Sequence, residues 1–296
     1  MEFKQYLSAL FAQQGNNEQF TLDQKIRSEI NSYIVEYSLI GTLGTNLSLG
    51  SVSEASAVFV KNIGQSWNEK KAPGPGTFEQ GKYAKVSFNW NVPLYQSLAF
   101  THADNLLGFP QAASTKIAKA SADFNDGFEA DCWKKIEEHL KQQLSDKKVV
   151  KDLLSPTISD RDVRHEIIAL GTALTKHIDA KDGINGIKKS DIIIHVKPEV
   201  LDRLSESALL GNYAEQMFVG GQYSIATVGG YKVIANKYLT DVDAIACTNF
   251  SAASMVNVNA ANYERLAPTN DYGIYYEAMG LFGIAYPTCF RYIANA

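Results

Sequence analysis

Residues 76–82, GTFEQGK, match the first seven positions of a phosphate-binding loop, G-x-x-x-x-G-K-[ST]. Such a loop works because backbone N–H groups and a helix N-terminus face the phosphates, while a Ser or Thr hydroxyl holds magnesium. Tyr83 stands at the hydroxyl position. Pro73 and Pro75 precede the motif where a strand is required, and a period-two strand pattern follows where a helix is required. The stretch is therefore read as a projecting hairpin with a flexible, basic tip and not as a nucleotide site.

Other chemistry is sparse. Of the five histidines, His102, His139, His165, His177 and His195, none forms an H-E-x-x-H pair or lies near a cysteine at zinc-ligand spacing. His165 and His177 fall on or beside a helix face, as solvated or singly hydrogen-bonded side chains. No G-x-S-x-G elbow occurs. Gly229-Gly230 starts a strand without the context of a phosphate loop. Asp126, Glu129 and Asp131 face more than one side of a helix and are expected to be solvated. The sequence thus points to no catalytic, cofactor or metal site and to no enzyme, although carboxylates distant in sequence can still meet in a fold.

At 296 residues, the chain allows one large domain or two modest ones. Its 45% hydrophobic and 20% charged residues are ordinary for a globular protein. No apolar run approaches a membrane span, and the first residues do not form a secretory signal. Cys132, Cys247 and Cys289 have no paired spacing and are expected to be reduced and buried. Net charge is −4, with no run of Lys and Arg. A protein that condenses nucleic acid by itself needs such a run. If this chain meets nucleic acid, it encloses it.

The elements follow from periodicity. Phe3, Tyr6, Leu7, Leu10 and Phe11 form one helical stripe, and Thr21 is an N-cap candidate for a helix carrying Ile26, Ile30, Ile34 and Tyr37. Residues 41–56 read as an extended linker. A strand at 57–63 leads to the loop. A strand at 83–92 leads back, with Ala84, Val86, Phe88, Trp90 and Val92 on its apolar face. The longest helical signal covers 112–144, with Ile117, Phe124, Phe128, Cys132, Ile136, Leu140 and Leu144 along one side and Glu137 pairing with Lys141. Further on come a helix after Ser159-Asp160, a buried strand at 191–196 and a helix from Pro198. Strands follow at 229–236 and 244–250, and then two β segments within 272–287, bent at Gly280 or Gly283. The class is α+β.

Four pieces in this order resemble the major capsid protein of tailed bacteriophages, the Hong Kong 97-type fold. They are the N-terminal arm before a strand–flap–strand at 57–92, the long helix at 112–144, RDVRHEIIALGTAL (161–174) followed by DIIIHVKPEVLDRL (191–204), and GGYKVIANKYL (229–239) before the strand at 244–256. The long helix is similar to that family's spine helix. Lys197-Pro198-Glu199 takes the place of its Ser-Pro-Glu helix start, and Asn236 stands where Ser is common. The resemblance implies an N-terminal arm (1–56), an extended β-hairpin loop (57–92), a peripheral domain with the spine helix (93–157 and 271–296) and an axial domain (158–270).

It also implies a structural role. Subunits would self-assemble into pentamers and hexamers of an icosahedral shell around double-stranded DNA, built in the host cytoplasm and found in the virion, with no cofactor and no membrane. The extended loop would lie on a neighbouring subunit through Trp67, Lys70, Lys71, Phe78, Lys82 and Lys85. Some members cross-link a flap lysine to a neighbour's asparagine, and Lys70, Lys71, Lys82 and Lys85 supply lysines here without a match to that position. Only about 55 residues precede the first strand, so the resemblance implies a separate scaffolding protein or none; portal and decoration proteins are further implied partners. Two rivals stand beside this reading: a protein nanocompartment of similar fold that encloses an enzyme, and an enzyme of unrelated fold using an unrecognised site.

Overall fold

The computed structural model describes residues 20–21, 38–44, 56–64, 82–99, 109–206, 225–266 and 271–295. The expected N-terminal helices and the loop tip lie outside them. The chain divides into two compact units, Met1–Gly41 with Asn89–Asp131 and Ser254–Phe282, and Thr42–Phe88 with Cys132–Ala253 and Gly283–Ala296.

The first unit is built on a four-stranded sheet in the order β1-β12-β13-β4. Its strands are β1 (Phe20–Thr21), β4 (Leu94–Ala99), β12 (Ala252–Leu266) and β13 (Asp271–Ile284). β13 and β4 are antiparallel, in register from Gly273↔Ala99 to Ala278↔Leu94. Along β13, Ile274, Tyr276, Ala278 and Gly280 are buried while Tyr275, Glu277 and Met279 are half-buried, as a pleated strand with one covered face requires. Helix α1 (Phe109–Gln143) supplies the cover here. Ser121 Oγ lies 3.1 Å from the Tyr276 hydroxyl, whose pKa burial pushes up to about 12. The tail is therefore one strand, not two segments bent at glycine. Gly127 of α1 is exposed, with open space where a Cβ would stand.

The second unit holds a six-stranded sheet in the order β5-β14-β11-β8-β10-β9. These strands are Lys148–Val150, Arg291–Ala294, Ala244–Thr248, Ile192–Val196, Tyr231–Ala235 and Ile225–Val228. The β8–β10 and β14–β5 pairs are parallel, the others antiparallel. Helices α2 (Asp160–Thr175) and α3 (Pro198–Glu206) close one face. Val163, Ile167, Leu170, Leu174, Val200, Leu201 and Leu204 pack there against Ile192, Ile194, Val196, Val233, Ala246 and Ile293. Ser159 caps α2, its side chain accepting from Asp162 N–H. Gly229 and Gly230, at φ +60° and +85°, form the two-residue turn of the β9–β10 hairpin rather than starting a strand.

Alternation sends His195 to the opposite face of β8, among residues from α1. There it lies 4.5 Å, centroid to centroid, from Trp133, and its Nε2 is 3.1 Å from Thr42 Oγ1. Thr42 belongs to a 3₁₀ turn, Ile40–Leu43, where an extended linker was expected. Leu43, inside the expected linker, is fully buried, as are Leu39 and Ile40 just before it. Glu137 also departs from expectation. It is buried and accepts from the N–H and hydroxyl of Thr240 and from Asp241 N–H, while Lys141 pairs with Asp241. Three donors offered by one loop outweigh a surface pair worth a few tenths of a kcal/mol.

Asp243 links several of these pieces. Its Oδ1 receives Lys197 Nζ at 2.9 Å, and its Oδ2 receives Leu153 N–H at 3.4 Å. With the carboxylate buried, truncation leaves an ammonium without its partner. Asp243→Ala is expected to lower unfolding stability by about 3 kcal/mol in urea titration.

His195 sets a pH dependence. Burial, with a smaller contribution from Lys232, lowers its pKa to about 3. A base held neutral in the fold but protonated when unfolded stabilises fully above about pH 6.5 and loses that contribution as pH falls toward 3. The whole contribution is on the order of 5 kcal/mol. Unfolding free energy should therefore fall from pH 6.5 to 4, and His195→Gln should flatten that slope.

Candidate assembly surface

β2 (Ser56–Gly64) and β3 (Lys82–Asn89) pair as a two-stranded sheet, one residue longer at each end of β2 than expected. Along β3, Ala84, Val86 and Phe88 are half-buried or buried while Lys85, Ser87 and Asn89 are exposed. Of the predicted interface residues, Lys82 opens β3 and Lys85 is exposed on it. Trp67, Lys70, Lys71 and Phe78 lie outside the described residues. Lys82 heads a strand, so the helix that a phosphate loop needs is not there.

The root of this strand pair is fastened through glycines. In the second unit, Phe88 lies against Gly283, where a Cβ would come within 1.9 Å of the ring. In the first, Trp90 bridges to Leu281, Asn91 N–H donates to Gly280 O at 2.8 Å, and the Phe128 ring lies 2.2 Å from where a Gly280 Cβ would be. Gly280 and Gly283 thus make room for aromatic rings; they are not bends. The apolar face of β3 ends at Trp90, because Val92 is 80% exposed, contrary to the alternation drawn through it.

The carboxylates on α1 separate. Asp126 and Asp131 are exposed, as expected, but Glu129 is buried and its Oε1 accepts Leu39 N–H at 2.7 Å. A partner ninety positions away gives no local signal. Cys132, Cys247 and Cys289 are buried thiols outside any disulfide, and burial pushes the Cys247 thiol up.

His102 lies outside the described residues, and the other histidines have ordinary surroundings. His165 is exposed on α2, and His139 lies 2.9 Å from Pro287 O. His177 joins an ordered chain. Arg291 Nη2 donates to its Nδ1 at 3.2 Å, its Nε2–H donates to Thr288 Oγ1 at 3.0 Å, and Thr288 donates to Asp179 Oδ2 at 2.7 Å. This order needs a neutral imidazole, and burial together with Arg291 holds the His177 pKa below its usual value. The chain clasps the hairpin of β6 (Ile178–Asp179) and β7 (Ile184–Asn185) to the segment before β14. Among the described residues, no group of three His, Cys, Asp or Glu side chains could hold a metal, and no helix is long and apolar enough to cross a membrane.

No protein-family model and no curated protein matches the sequence. Solved structures do match over nearly the whole chain. The capsid of the cyanophage P-SCSP1u aligns with a TM-score of 0.59 at 12% identity, covering 88% of each chain. The capsid of Staphylococcus phage Andhra aligns at 0.52 and 8% identity, covering 86% of this chain and 85% of that one. A virus-like particle from Pyrococcus furiosus aligns at 0.50 and 13% identity, covering 92% and 98%. The chain has the α+β, Hong Kong 97-type fold of tailed-phage major capsid proteins.

The contact at Gly283 carries a prediction. Gly283→Ala should cost about 1–3 kcal/mol in thermal or urea unfolding, because the Phe88 ring must move. Adding Phe88→Leu should recover part of that loss, a non-additivity a double-mutant cycle would measure.

Proposed function

We propose that this chain is the major capsid protein of a tailed bacteriophage. It assembles into pentamers and hexamers that close an icosahedral shell around packaged double-stranded DNA, and its place is the virion after assembly in the host cytoplasm. The observation that carries the reading is the two-way coverage. The cyanophage capsid structure and this chain each match over 88% of their length, so the capsid fold accounts for the chain as a whole and not for a module within it. The role is structural and not enzymatic. The net charge of −4 suits a shell that encloses a genome without gripping it.

Pentamers and hexamers need a heterologous contact that repeats around a ring. The β2–β3 pair fits that need. An isolated two-stranded sheet is marginal in water and gains most from lying on a neighbour. Trp67 is the natural anchor, because buried aromatics dominate interface energy, and Lys70, Lys71, Phe78, Lys82 and Lys85 complete the contact. A separate scaffolding protein, a portal and decoration proteins are the further partners of this reading.

The similarity to the virus-like particle from Pyrococcus furiosus favours a second reading, a nanocompartment shell around a protein cargo. Electron microscopy of purified protein, followed by nuclease treatment and extraction, separates the two. The capsid reading expects closed particles holding nuclease-protected DNA when made with the packaging machinery. A stoichiometric cargo protein in its place would select the nanocompartment, and a monomer under all conditions, with or without scaffold, would sink both.

Deleting residues 70–81 tests the flap. The segment has two prolines and three glycines, with Ala72 and Phe78 its only apolar side chains, so it adds little to a core that gains roughly 25 cal/mol per Å² buried. The melting midpoint of the unassembled subunit should barely change, while closed particles should fail to form. Normal shells from the deletion would remove the flap from the interface.

A further inference from the structure

We infer that the outer edge of β4 is a strand-pairing surface for a second copy of this chain, an inference that rests on the shell reading above. Among the described residues β4 is the terminal strand of its sheet, hydrogen-bonded to β13 on one side. In an antiparallel strand every second residue directs its N–H and C=O away from the partner, so the outer side offers a ladder of donors and acceptors that no strand among the described residues meets. Five of its six residues, Leu94, Tyr95, Gln96, Ser97 and Ala99, are exposed, with Leu94 at 63% and Tyr95 at 68%. Val92, just before it, is 80% exposed. The register puts Leu94 opposite Ala278, on the face of β13 that is buried. Leu94 is thus an apolar residue on the covered face of the sheet that the subunit itself leaves largely uncovered.

Natural edge strands are blunted by lysine, by inward-pointing charge, by bulges or by proline. Here only Pro93 serves. No Lys, Arg, Asp or Glu occurs from Val86 to Ala103. Charge selects the occupant. Copies carrying −4 each repel across most of their surfaces. A charge-free edge is where two like-charged copies can approach without that repulsion, and it offers nothing to a nucleic-acid backbone or to a strongly basic peptide. Backbone pairing supplies the affinity, and the apolar side chains at 92, 94 and 95 supply buried area. β4 also follows β3 after only four residues, which keeps it in sequence next to the strand pair assigned to the inter-subunit contact.

Two measurements test this on the intact chain. The first is hydrogen–deuterium exchange of residues 94–99 in unassembled subunits and in closed particles. The outward amides are expected to slow at least tenfold on assembly, and unchanged exchange in closed particles would overturn the inference. The second is the double variant Leu94→Lys/Ser97→Lys, both at exposed positions. It should keep the wild-type melting midpoint as a subunit and raise the concentration needed for assembly at least tenfold. Assembly at the wild-type concentration would overturn the edge proposal while leaving the shell reading intact. Wild-type protein that forms no particle at all would take down the shell reading, and this inference with it.

Discussion

The architecture of the second unit depends on one buried carboxylate. Asp243 is 2% exposed and immediately precedes β11. Its side chain holds Lys197 and Leu153, its carbonyl accepts Lys197 N–H at 3.0 Å, and its own N–H donates to Ile293 O at 2.9 Å. Four segments therefore meet at one residue: the end of β8, the loop after β5, the start of β11 and strand β14. Lys197 O then accepts from Val200 and Leu201 N–H, so the same junction starts α3. α3 in turn carries Arg203, which donates to Leu153 O, Ser155 O, Ile158 O and Asp160 Oδ1. One ion pair thereby sets the register of the central strand, the first turn of a helix and, through Arg203, the N-terminus of α2.

The root of the flap follows a different rule, in which shape decides rather than charge. Aromatic rings from β3 and α1 occupy the space that β13 leaves at its glycines. Close packing of this kind has discrete arrangements, since a ring in contact with backbone cannot shift gradually. A strand pair anchored so is held firmly at its base.

Much of this was legible in the sequence. The Ser159 cap, the three- and four-residue spacing from Val163 to Leu174, the run IIIHV and Pro198 with Leu201 and Leu204 each state an element and its buried face, and each element is there. His195 was readable too, because a histidine inside a strand buried on both faces has no exit to water. What escaped has a common cause. Glu129 and Glu137 look like solvated helix charges, and only Leu39 and Thr240, far away in sequence, make their burial possible. β5 and β14 are three and four residues long; β5 acquires strand character from β14, and β14 from β5 and β11, all distant in sequence. β4 shows no clean alternation because neither of its faces is well covered. The candidate interface was legible as a strand pattern and a loop composition, whereas the glycine seats beneath it required coordinates.

Strand order also governs timing. β14 lies between β5 and β11, and Tyr292 pairs with Lys148. At ribosomal speed, on the order of ten seconds separate the synthesis of those two residues. Until the later one emerges, β5 has no neighbour and β11 lacks one of its two, so the central sheet stays open while most of the chain is already made. The six-stranded sheet is thus held back from its finished form until β14 arrives. That delay makes completion of this sheet a late event of synthesis, long after most of its strands exist.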